Sequence, residues 1–304
     1  MPVIMNPPVS LSVITPNLNS GGWLNLCIAS VADQEGVEVE HLIQDALSTD
    51  LNSPWIAKHP HVQLTSEADN GMYDAINRGL ARAQGEILAH LNADEQYLPG
   101  ALAAVMKCFR EDPRLDVLYA DTVVVDKTGK CVCCRKSMKP TRLLQFTQFP
   151  TITSSLFFHR RVIDEHRLFF DSSYRMVADA VWMRESVTKK LRTAVLRQYT
   201  SAFTETGSNL DLSPAASDES RRLSNINPAW SRTLNAPLQV LSRVRRLLHG
   251  TYHQKPFSYQ IFTLGNLDHR ENFHVEKPTC VWWSRGPRQS GKFHKRLKSL
   301  LRPK

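Results

Sequence analysis

The sequence predicts an α/β protein, a mostly parallel sheet flanked by helices, with a small basic α+β extension behind it. Three observations carry this. Apolar runs of strand length alternate with amphipathic stretches of helix length through the first third of the chain. Loops rich in Asp and Asn follow the predicted strand ends. Charge divides sharply: residues 221–304 hold 17 Lys and Arg against 3 Asp and Glu, whereas residues 1–220 hold 21 against 26. The division predicts a main domain over 1–215 and a basic extension over 216–304.

The first strand is Leu11 to Thr15, followed by the turn-rich loop Pro16 to Gly22 and a helix whose apolar face is Trp23, Leu26, Cys27 and Val31. Val39 to Gln44 and His61 to Leu64 give the second and third strands, and a helix is expected over Met72 to Ala83, closed by Gly85. The fourth strand is Ile87 to Leu91. Beyond residue 115 the runs LDVLYADTVVVD and KCVCCRK predict a hairpin about Lys127-Thr128-Gly129. A strand through Ser154 to Phe158, a short helix from Arg160 and a helix from near Val177 to Val187 complete the main domain. In the extension, SRVRRLLHG and GKFHKRLKSLLRPK read as amphipathic helices suited to an anionic membrane surface, and FSYQIFTLGNL, ENFHVEK and TCVWWSRG read as strands.

The turn Asn92-Ala93-Asp94-Glu95 is the most informative segment. Two adjacent carboxylates where a strand ends repel each other and lose hydration unless a cation or proton sits between them, which points to a divalent metal and a diphosphate ligand. Asn17 and Asn19, Asp45 and Asp50, and Asp69 and Asn70 stand at three other strand ends, so four loops converge on one crevice of an open sheet. Neither a G-x-G-x-x-G turn nor a G-x-x-x-x-G-K-[ST] loop occurs, so the phosphates of a nucleotide require another holder, and a metal on acidic residues supplies it. Asp179 lies in the first turn of a helix, where the helix dipole favours the ionised, proton-accepting carboxylate.

Composition narrows the classes. The chain is 42% hydrophobic, 22% charged and 304 residues long, enough for a full core. It shows no apolar run of membrane-spanning length, and its N-terminus lacks a signal-peptide pattern, so a cytoplasmic protein is expected. The cysteines agree: Cys27, Cys108 and Cys280 read as small core residues. Cys131, Cys133 and Cys134 read as part of a strand, because no zinc-spaced partners accompany them. Nucleic-acid binding by the basic extension finds no accompanying motif, and Trp282 and Trp283 point to opposite strand faces. A glycoside hydrolase would hold its two carboxylates apart across a sugar and needs no nucleotide loops.

The segments LSVITPNLNSGGWLNLCIASVADQ, HLIQDALSTD, EADNGMYDAINRGLARAQGEILAHLNADEQYLPGAL and YRMVADAVWMR together resemble the family 2 glycosyltransferases of bacterial surface-polysaccharide synthesis, in consistent order over about residues 9–215. The resemblance implies the GT-A fold and inverting transfer of a sugar from a nucleotide-sugar donor to a glycan or lipid-linked acceptor. It implies that Pro16, Asn17 and Asn19 line the nucleotide pocket, that Asp45 helps hold the base or ribose, and that Asp69 and the helix entry Gly71-Met72-Tyr73-Asp74 lie near the donor. Asp94 takes the last metal position of the family's D-x-D-type motif, for manganese or magnesium, with Asn92 at the first position and Glu95 where a second aspartate is common. Asp179 corresponds to the catalytic base, and FTETGSNL to the segment that returns over the donor. Asn92 in place of an aspartate and Ala46 in place of an acid depart from the pattern. The rival reading is a catalytically inert protein of the same fold that binds through its basic tail.

Overall fold

A computed structural model describes residues 11–51, 53–147, 151–207 and 214–282. The main domain opens with β1 (Leu11–Asn17), α1 (Gly22–Ala32), β2 (Val39–Asp45), α2 (Ser53–Ile56), β3 (Val62–Ser66), α3 (Met72–Arg82) and β4 (Ile87–His90). These strands lie parallel in the order β3-β2-β1-β4. β1 is buried along its whole length, as an inner strand covered on both faces must be. Its residues alternate between two cores: Leu11 and Val13 meet Cys27, Val31 and Val105, while Ile14 meets Ile76, Leu80 and Trp182.

The second half departs from the parallel expectation. It runs through β5 (Glu95–Tyr97), α4 (Ala101–Glu111), β6 (Val117–Asp126), β7 (Cys131–Arg135), β8 (Leu156–His159), α5 (Arg161–Asp164), α6 (Ala178–Thr188) and β9 (Thr193–Glu205). β8 enters antiparallel between β4 and β6, β9 lies parallel to β6, and β5 closes the far edge antiparallel to β9. A strand that returns without a helical crossover pairs antiparallel, which periodicity does not reveal. β4 and β5 are joined only by residues 91–94 yet stand apart in strand order, so the sheet curls and that turn bridges its two halves.

Gly85 does not close α3. The helix ends at Arg82 with Ala83 as its C-terminal cap, and Gly85 is needed for close approach, since a Cβ there would stand 2.5 Å from the Ser12 backbone nitrogen. Gly79 serves the same end within α3, where a Cβ would meet Ile14 Cγ2 at 2.4 Å. Of the three isolated cysteines only Cys27 is buried; Cys108 and Cys280 are half-buried. The β6–β7 hairpin forms as expected, with the Cys131 and Cys134 sulfurs sharing a 3.9 Å hydrogen bond and no disulfide, and no cluster of three or more metal-ligating side chains occurs among the described residues.

The extension contributes α7 (Pro214–Asn225), α8 (Ala229–Thr233), α9 (Asn235–Leu248) and the antiparallel hairpin of β10 (Phe257–Thr263) and β11 (Asn266–Val275). This hairpin is fastened to the main domain. Tyr259 and Ile261 share a buried cluster with Leu98, Val123 and Ala202, and Gln96 exchanges two hydrogen bonds of 2.9 Å with the Phe262 backbone. The Arg270 guanidinium forks onto both oxygens of Asp33 at 2.6 Å. The strand expected in TCVWWSRG does not form over residues 279–282, and its remainder, like GKFHKRLKSLLRPK, lies outside the described residues.

Candidate functional site

A cleft of about 1530 Å³ opens along the carboxyl ends of the parallel strands. Pro16, Asn17, Asn19, Asp50, Asp69, Gly71, Asn92, Asp94 and Asp179 all line it. The four strand-end loops thus meet at one place.

The first two loops are laced together. Asn17 Nδ2 donates to Asp45 Oδ1 at 2.7 Å and to Ser48 Oγ at 3.1 Å. Asn19, in the left-handed region at φ 49°, accepts from the Thr49 amide at 3.0 Å and donates its own amide to Ser48 Oγ at 2.8 Å. Asp50 Oδ2 receives the Gly21 amide at 2.7 Å. The third loop is set by Asp69, whose Oδ1 accepts from the Gly71 amide at 2.8 Å, and Gly71 at φ 110° turns the chain into α3.

Two expected site residues are not brought to the cleft wall. Asp45 is fully buried, and its carboxylate accepts from Asn17, from Ser66 Oγ at 2.6 Å and from both the amide and hydroxyl of Ser48. Burial opposes its ionisation, but these hydrogen bonds outweigh burial and hold it below the ordinary carboxylate range. Asp45 here ties the first two strand-end loops together, and both its oxygens are taken up by Asn17, Ser48 and Ser66. Glu95 is also fully buried, beneath the turn, with Oε2 accepting the Asn92 amide at 2.9 Å. Burial, with the Asp94 charge beside it, lifts Glu95 to about 8, so it sits as a neutral acid that braces the turn, and the metal role expected of it does not fit this position.

Asn92 and Asp94 do face the cleft. Burial lifts Asp94 to about 6, and the Asn92 Oδ1 atom is buried with no hydrogen-bond partner. A carboxylate and an unsatisfied amide oxygen are hard donors, the kind that hold magnesium or manganese when the phosphates of a substrate complete the shell. The residues present therefore fit such a cation.

Asp179 lines the same cleft from the start of α6. It is half-buried in the first turn of α6, and its Oδ1 accepts the Ala180 amide at 2.8 Å. Burial raises it to about 6, against the Ala180 amide hydrogen bond and the neighbouring Tyr73 hydroxyl, which favour its charge. Tyr73, buried near the start of α3, belongs to the helix entry that the resemblance puts near the donor, but the sequence does not show that it stands beside this carboxylate. Glu219 of α7 was also missed. Its two oxygens accept the Arg175 and Met176 amides at 2.8 Å each and so fix the approach to α6. Arg135, Lys136, Arg175 and Arg246 add positive charge to the cleft lining, and Trp282, stacked edge-on against Phe203, completes one end of it.

The model of the family described as "Glycosyl transferase family 2" matches residues 12–167. An uncharacterized glycosyltransferase, YibD, of Escherichia coli K12 is 37% identical over 119 residues, covering 38% of this chain and 34% of its own. A PGL/p-HBAD biosynthesis glycosyltransferase of Mycobacterium bovis BCG is 31% identical over 121 residues, covering 37% of this chain and 46% of its own. The matches to these curated relatives span less than half of the relatives' length. Among solved structures, S. aureus TarS 1-349 in complex with UDP superposes with a TM-score of 0.56 at 18% identity, over 79% of this chain and 72% of that one, which shows a shared fold. The match of the family model over more than half of the sequence makes this chain a member of glycosyl transferase family 2, with the GT-A fold.

Proposed function

We propose that the protein is an inverting glycosyltransferase that moves a sugar from a nucleotide-sugar donor to a hydroxyl of a glycan, free or lipid-linked, with metal assistance. The observation that carries this reading is that Asp94, after a strand end, and Asp179, at a helix start, line one cleft. An inert binding relic would have no need of both. The Asn17, Asn19 and Asp69 side would take the nucleotide, as the TarS complexes with UDP and with UDP-GlcNAc suggest for a chain of like fold.

Asp179 accepts the proton of the attacking hydroxyl at its carboxylate, and Tyr73 and the Ala180 amide orient that carboxylate and stabilise its charge. Asp94, with Asn92 Oδ1, would hold a manganese or magnesium ion. When bound, the ion supplies positive charge against the departing diphosphate. One base acting on one face of the sugar gives a single displacement with inversion. The division at residue 215 becomes one of labour: the front carries donor loops and base, and the extension lends Glu219 and Arg246 to the site. The free cysteines are in keeping with a cytoplasmic, reducing setting. No helix among the described residues is long and apolar enough to cross a membrane.

A thermal-shift screen of UDP-, GDP- and dTDP-sugars with and without manganese tests the reading. Stabilisation by one donor class, enhanced by the metal, is expected; no shift with any of them overturns it.

A further inference from the structure

α9 carries a surface that the transfer reaction does not use. Leu234, Pro237, Leu241, Val244 and Leu248 follow one another at three- and four-residue steps, with Val240 and Leu247 beside them, so they form one stripe along the helix. All are exposed, Val240 at 57%, Leu247 at 65% and Leu248 at 80%. The opposite face holds buried Leu238 and Ser242, and Arg246 on that side lines the cleft. At 100° per residue Arg243 falls on one flank of the stripe and Arg245 on the other. No Asp or Glu occurs between Glu219 and Asp268.

An apolar stripe of this size left in water marks a contact surface. Its charge decides the partner. Two copies joined along their stripes would bring Arg243 and Arg245 against their own kind, with no acid on α8 or α9 to pair them. An apolar stripe bordered by arginines matches instead a bilayer whose headgroups are anionic, into which such a helix sinks by its apolar side while its arginines meet phosphate. We propose that α9 is an interfacial anchor that lays this protein on an anionic lipid surface, with the inner face of the same helix bordering the cleft. The inference does not rest on the transferase reading, because binding to lipid is measured without donor or acceptor.

The test is flotation of the full chain with vesicles of phosphatidylglycerol and phosphatidylcholine, and with phosphatidylcholine alone. Flotation with the anionic vesicles only is expected. Val244→Ser combined with Leu247→Ser and Leu248→Ser should abolish it, and each of Arg243→Gln and Arg245→Gln should weaken it by about fivefold. Because Arg243, Val244, Leu247 and Leu248 are exposed and Arg245 is only half-buried, thermal unfolding of these variants should match the wild type, which separates lost binding from lost folding. Undiminished flotation of the triple variant overturns the proposal, since that variant keeps the rest of the basic tail. A lipid-free wild-type dimer in sedimentation that the triple variant converts to monomer overturns it as well, in favour of self-association.

Discussion

The phenol of Tyr73 lies beside the carboxylate of Asp179 and favours its charged form, so a side chain near the start of α3 lowers the proton affinity of a carboxylate at the start of α6. Sequence places them far apart, and only packing in the core beneath the cleft joins them. Tyr73 stacks on Phe170, which in turn stacks on Trp182 of α6, and this aromatic column fixes the spacing of the two helices.

The pH dependence of transfer follows from that pair. In the proposed mechanism Asp179 must be ionised to accept a proton, and burial places it at about 6, so the rate should fall as pH drops through about 6. Tyr73→Phe removes a hydroxyl dipole that favours the charge, so the acidic limb should move to higher pH while donor affinity stays put. A pH-rate profile of both proteins checks this; coincident limbs would show that Tyr73 does not tune the base.

Asp179→Asn should retain donor binding and lose transfer by roughly 10² to 10⁴ fold, the usual worth of a positioned base. Calorimetric titration of the donor alongside initial rates separates the two effects. Transfer at the wild-type rate would remove Asp179 from the mechanism.

Asp94→Ala should weaken nucleotide binding chiefly when manganese is present, and Asn92→Asp, which restores a second charge beside it, should strengthen the metal dependence. Titrating manganese at fixed nucleotide reads both. Equal nucleotide affinity of Asp94→Ala with and without metal, matching wild type in each, would dissociate the turn from the cation.

Glu95 braces the turn through the Asn92 amide and is held neutral by burial, so Glu95→Gln should fold almost as well as wild type, with one acceptor oxygen kept. Glu95→Ala leaves that buried amide unpaired and should cost about 1–3 kcal/mol. Urea unfolding of both variants decides whether the carbonyl oxygen or the carboxylate charge matters.

The glycines at close approaches give a test of packing alone. Gly79→Ala drives a Cβ to 2.4 Å from Ile14 Cγ2, and overpacking of this kind typically costs about 1–3 kcal/mol. Gly85→Ala meets backbone at Ser12, which cannot move aside as a side chain can, so it should destabilise more. Midpoints of chemical unfolding rank the two.

Several features were legible in the residues themselves. Apolar runs and turn signals located β1, β2, β3, β4, α1 and α3 to within a few residues, because each depends on local periodicity and local turn chemistry. The convergence of polar strand ends was legible too, since parallel strands joined by crossovers present their carboxyl ends on one side. The resemblance supplied the family, and with it the positions of Asp94 and Asp179.

Tertiary structure alone decided the rest. Whether a polar strand-end residue faces ligand or core depends on what packs over it: Asp45 and Asp69 end neighbouring strands, yet one is enclosed by Asn17, Ser48 and Ser66 and the other borders the cleft. Asp94 and Glu95 are adjacent in sequence, and the turn sends one into the cleft and the other beneath it, with different proton affinities. The antiparallel entry of β8, the far-edge pairing of β5 and the reach of Tyr73, Glu219 and Arg246 into the site are all long-range contacts. Local propensity specifies elements; the side on which each charge comes to rest is set by burial and hydrogen bonding between segments distant in sequence.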